Sequence, residues 1–111
     1  MGPLKYQNQK YEVRKIINEL SVLYLEFLSE AIKILKNNGR LVMIWPVFIV
    51  GTETLYLPIL DEVKKIGWQM VSPIQNPELK NLPFVKINPR GALIYGRPNQ
   101  KIKREIFIFK K

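Results

Sequence analysis

The sequence predicts a mixed α/β fold whose elements run helix, strand, helix, strand and then an antiparallel closing strand. Three observations carry this. Apolar residues recur at helical spacing over residues 14–36. An uninterrupted apolar run, Leu41-Val42-Met43-Ile44-Trp45, follows and meets Pro46. Two strand-like runs, 92–95 and 105–109, are separated by a basic turn over 96–104 that contains proline and asparagine. At 111 residues, 47% hydrophobic and 24% charged, the chain has the size and composition of a single domain with one core.

Taken in order, residues 1–13 read as an irregular lead-in, since Gly2, Pro3, Gln7, Asn8 and Gln9 show no periodicity. The helix over 14–36 places Ile16, Leu20, Leu23, Phe27, Ala31, Ile34 and Leu35 in a stripe that Ile17, Tyr24, Leu28 and Ile32 widen. Lys33 and Lys36 in its last turn and Asn37-Asn38-Gly39 beyond it are a helix stop. The run 41–45 has no polar alternation, which predicts a central parallel strand buried on both faces and ended by Pro46. Thr52 is placed to cap a second helix reaching Ile66, with Tyr56, Ile59, Leu60, Val63 and Ile66 on one face, Pro58 early and Gly67 at its end. A strand over 68–74 follows, then a proline-broken segment over 73–89 with a short strand at 84–87. The two closing runs are expected to pair antiparallel.

Composition removes several chemistries. There is no cysteine and no histidine, so disulfides, thiolate metal sites, cysteine nucleophiles and every histidine-based triad are excluded. No GxxxxGK[ST] and no GxGxxG occurs, and the nine acids are scattered. Asp61 and Glu62 are adjacent on the second helix, point in different directions and read as a solvated face. No catalytic or metal-binding constellation is present. The longest apolar runs are far shorter than the roughly 20 residues a membrane helix needs, and the first ten residues are polar, so a cytoplasmic protein with no membrane partner is expected.

Charge is unevenly placed. Residues 86–111 hold eight basic residues and one acid, Glu105, and so carry +7 of the net +9. A polyanion is the natural partner for such a stretch, and a solvated tail that keeps the protein soluble is the alternative. Arg97, Lys101, Lys103 and Arg104 lie in or beside one turn where they would converge on RNA phosphates, or else stand as ordinary exposed turn residues. Tyr95 precedes that turn and would stack on a base if exposed, or pack in the sheet if not.

Two stretches resemble a known family. The segment LYLEFLSEAIKILKNNGRLVMIWP, residues 23–46, resembles the helix and strand that follow the Asp-Pro-Pro-Tyr motif in the THUMP-associated tRNA guanosine methyltransferases. The segment IYGRPNQKIKREIFIFKK, residues 94–111, is similar to that family's closing segment, where a basic turn precedes an Arg-Glu-Ile strand. The resemblance implies that residues 23–111 are half of a Rossmann-like, S-adenosylmethionine-dependent methyltransferase sheet acting on tRNA. It sets Trp45 and Pro46 near the target base, as substrate-crevice candidates; their alternatives are a core tryptophan and a strand terminator.

The same resemblance implies what this chain lacks. The glycine-rich cofactor loop, the ribose-binding acid and Asp-Pro-Pro-Tyr do not occur. Alone the chain would bind no cofactor and catalyse nothing, and S-adenosylmethionine enters only if a partner completes the site. Half a sheet also leaves the strand at 41–45 with an open edge, which an amino-terminal methyltransferase half or a second copy of the chain would cover. A different class stays open beside this one: a small basic nucleic-acid-binding protein without catalysis, acting alone or as a homodimer.

Overall fold

The computed structural model describes residues 3–71, 85–96 and 101–111, with side chains from Gln9 onward and Val85 excepted. Helix α1 spans Pro3–Ile34, strand β1 Arg40–Val50, β2 Glu53–Leu55, helix α2 Leu60–Ile66, β3 Gln69–Val71, β4 Val85–Ile87, β5 Leu93–Tyr95 and β6 Ile102–Lys110. The strands form one six-stranded sheet in the order β2-β1-β6-β5-β4, and β3 joins β6 as well. Every pairing is antiparallel. The fold is thus mixed α/β, with two helices among the described residues. Among the described residues no helix is long and apolar enough to cross a membrane.

β1 and β6 are the spine, paired without interruption from Arg40↔Lys110 to Phe48↔Ile102. Because β1 occupies one edge of β6, the other edge is shared by β3, against 108–110, and β5, against 104–106. Facing residues of an antiparallel pair point to the same side. One face therefore carries Leu41, Met43 and Trp45 from β1 with Glu105, Phe107 and Phe109 from β6, and α1 and α2 close over it. Phe107 and Phe109 stack, and Trp45 packs tilted against both, at centroid separations of 4.3 to 5.8 Å. Around them lie Ile17, Leu28, Leu57, Val63 and Trp68. The Trp68 Nε1–H donates to the Leu28 carbonyl across 3.1 Å, tying the segment after α2 to α1.

Several expectations are corrected. The irregular lead-in is helix: α1 begins at Pro3, a residue suited to a first helical position because it has no N–H to leave unpaired. Lys10, half-buried, reaches Glu53 of β2 at 2.7 Å and anchors this early part of α1. The strand at 41–45 is neither parallel nor buried on both faces; Val42 is 62% exposed and Ile44 53%. Nor does Pro46 end it, since β1 runs on to Val50.

The register explains that proline. Gly39 accepts from Lys111 N–H and Ile49 donates to Lys101, so the odd residues of β1 bond to β6 and the even ones face the opposite edge. Pro46 therefore lacks its N–H on the side where, among the described residues, no neighbour needs it.

The second helix is shorter than expected. Residues 53–55 turn back on β1 through a two-residue loop whose first member, Gly51, has φ 61°. Leu57 precedes a proline and is barred from helical backbone, so α2 starts at Leu60 rather than near Thr52. It ends as expected at Gly67, whose φ is 124°. The strand expected over 68–74 is β3 over its described part, the one at 84–87 is β4, and the closing runs pair antiparallel as β5 and β6. Of the proline-broken segment expected over 73–89, residues 73–84 lie outside the described residues.

Candidate functional site

The face of the sheet turned away from the helices carries a row of three side chains on three adjacent strands. Pro46 of β1 is the register partner of Arg104 of β6, and Arg104 is the partner of Tyr95 of β5. Arg104 is exposed, Tyr95 is 38% exposed and Pro46 is half-buried. With strands about 4.8 Å apart, the row is roughly 10 Å long. The phenol and the guanidinium are planar groups on which bases stack, the guanidinium also pairs with phosphate, and the proline ring beside them adds apolar surface.

The other sequence-selected residues are placed differently. Lys101 is exposed beside β6, and Arg97 lies outside the described residues. Lys103 points to the opposite face and is half-buried; its stem lies so close to Gly96 that a Cβ there would meet its Cγ at 2.5 Å. Trp45 is wholly buried under α1, 6.5 Å from the Tyr24 ring. The structure thus joins Pro46, Arg104 and Tyr95, and leaves Trp45 and Lys103 on the helix side.

A second cluster was missed by sequence reasoning. Glu105, fully buried, accepts from the Asn88 side-chain amide at 2.6 Å and lies 3.4 Å from an Arg90 guanidinium nitrogen. Arg90 also donates to the Leu57 carbonyl at 2.8 Å and sits 5.2 to 5.6 Å from the ring centres of Tyr56, Trp45 and Phe107. The Asn88 side-chain oxygen in turn accepts the backbone N–H groups of Arg90 and Ala92, folding the β4–β5 turn around itself. Burial pushes the Glu105 carboxyl above the ordinary range, while Arg90 and then Asn88 pull it back down. Glu105 Oε1 and Trp45 Nε1, on register partners, are buried and make no hydrogen bond among the described residues.

A signal for this cluster did exist. Glu105 has the same parity as Phe107 and Phe109, so the one acid of the basic stretch had to point at the core, where a buried charge demands a partner. The cluster pins the β4–β5 turn to β6 and so fixes β5, the strand that bears Tyr95. Among the described residues no group of three acids, histidines or cysteines is placed to hold a metal. Comparison with known proteins finds no matching family model, no matching curated protein and no matching solved structure.

Proposed function

We propose that this chain is the carboxyl-terminal portion of an S-adenosylmethionine-dependent RNA methyltransferase acting on tRNA, supplying an RNA-contacting face to an enzyme that a partner completes. The observation that carries the RNA part is the Pro46–Arg104–Tyr95 row, on the sheet face opposite the helices, in a chain with net charge +9. The methyltransferase part rests on the resemblance of residues 23–46 and 94–111. The element order, with β6 closing antiparallel on β1, is in keeping with it. Nothing in this chain would hold the cofactor, so both the cofactor loop and the catalytic motif fall to the partner. A non-catalytic RNA-binding protein would use the same row, and the test separates the two.

The test is binding of fluorescent tRNA across a salt series, followed by transfer of labelled methyl groups with and without a candidate amino-terminal half. The chain alone is expected to bind tRNA. Arg104→Gln is expected to lower the salt slope by about one, and Tyr95→Leu to weaken binding by about 1–3 kcal/mol at every salt concentration. Methyl transfer should require both halves. Loss of neither affinity nor slope in the variants would sink the RNA face; binding without methyl transfer in any mixture would leave the non-catalytic protein.

A further inference from the structure

Two unpartnered features of the fold lie on the same side. The first is the edge of β1. β2 covers only Phe48–Val50, so the even residues Arg40, Val42, Ile44 and Pro46 present their backbone groups to an edge with no strand on it among the described residues. The second is a line on α1. At 3.6 residues per turn, Ile16, Leu23, Phe27 and Ile34 fall within about 40° of one another, and all four are exposed. Ile32, which approaches Gly67 at the end of α2, lies about 160° round the helix from Ile34. Ile17, Tyr24 and Leu28, which pack on the sheet, lie between them. The exposed line is therefore on the flank of α1 away from α2, above the open edge of β1.

We infer that this wall is a docking surface for a different protein, which adds an apolar strand to β1, with acidic residues where it meets Arg40, and packs apolar side chains on the α1 line. This names the chemistry of the completing partner and rests on the composite reading above. The α1 line is about 27 Å long and the edge about 20 Å, so two layers give roughly 500 Å² of flat area before corrugation. That approaches the 800 Å² or so per partner of a stable complex. The run 41–47 carries no charge to keep other strands away, and Pro46 withholds an N–H only at its far end.

Charge selects the occupant. Lys33, Lys36 and Arg40 are exposed around the start of β1, with Lys110 opposite Arg40 on β6, and the acid nearest in sequence, Glu30, is already 3.2 Å from Lys33. A second copy fits worse. Two-fold antiparallel pairing about Met43 sets each Arg40 against Pro46 of the other copy, which has no N–H to give. It also brings Arg40 two strands, about 10 Å, from the Arg104 of that copy.

The experiment adds a short synthetic peptide of alternating valine and threonine, with glutamates at the end that reaches Arg40, to the isotopically labelled chain. Its readouts are amide exchange by nuclear magnetic resonance and mass by light scattering. The Val42 and Ile44 amides are expected to slow. A lysine-ended peptide should bind about fivefold more weakly, the effect of two exposed charge pairs. Ile44→Pro removes an edge N–H without touching the β6 ladder, and Val42→Lys sets a charge on the exposed face; each should abolish the effect in a chain whose other amides stay protected.

Protection at Val42 and Ile44 in the chain alone, with doubled mass, would put a second copy on the edge and overturn the inference. So would equal binding of both peptides, or none. Arg104 and Tyr95 of the tRNA row lie on β6 and β5, one and two strands in from the edge, so failure here with tRNA binding and methyl transfer intact would condemn the docking mode and not the function.

Discussion

Replacing Arg90 by leucine isolates the energetics of the buried cluster. The change removes the cation from a carboxylate with no solvent exposure, takes the donor from the Leu57 carbonyl, and lifts a guanidinium off three aromatic rings. Breaking a buried pair costs about 3–5 kcal/mol, and losing a hydrogen-bond donor about 1 kcal/mol more. Two effects reduce the sum. The Arg90 side chain is 20% exposed, so water already screens part of the attraction. Glu105 can also take up a proton, since burial has already raised its pKa. A net loss of about 3 kcal/mol is expected, against a total of about 5–15 kcal/mol for a domain of this size, with a fall in Tm of roughly 15 °C.

Urea unfolding at neutral pH, followed by tryptophan fluorescence, measures this loss directly because Trp45 lies beneath the guanidinium. The second arm is the double variant Arg90→Leu with Glu105→Gln. It keeps an acceptor for Asn88 but removes the charge, and should recover more than half of the loss. A single-variant cost below about 1 kcal/mol, or a double variant no better than the single, would refute the claim that an uncompensated buried carboxylate is the source.

Two further outcomes are expected. A folded-state pKa above the unfolded one means that the Glu105 contribution is present at pH values below the unfolded pKa and is lost as pH rises through the folded one. Glu105→Gln should therefore gain stability relative to the native chain as pH rises from below the ordinary carboxylate range, as read by paired denaturant titrations; a constant difference would show that Glu105 titrates alike in the folded and unfolded chains. Asn38 has φ 67°, a conformation that costs a β-branched residue about 1–2 kcal/mol, so Asn38→Val should lower the urea midpoint by that amount while Asn38→Gly leaves it nearly unchanged.

Local signals located the elements better than they located their neighbours. The stop at 37–39 and Gly67 are written in residues that tolerate positive φ, and both were legible. The hairpin at 50–53 was legible too, because a glycine at the first central position of a two-residue loop is the signature of a type II′ turn; Thr52 was instead weighed as a cap. Strand direction was not legible. An apolar run such as 41–45 looks the same beside a parallel neighbour as beside β6, and only pairing across some sixty residues decides which face stays wet. The site divides in the same way. Arg104 and Tyr95 were visible as a basic and an aromatic residue near one turn, but their alignment with Pro46 depends on registers that no local pattern encodes.

The place of β6 in the sheet also governs how the chain folds. It lies between β1 on one edge and β3 and β5 on the other, yet it comes after all of them in sequence. During synthesis β1 is complete at Val50 and must wait until Ile102–Lys110 has been made before its inner edge can pair. Until then the inner edge of β1 is open along its whole length and the apolar side of α1 has no complete core to cover. Contacts this distant in sequence fold slowly and leave sticky intermediates, so the nascent chain keeps apolar surface exposed for as long as its keystone strand is missing.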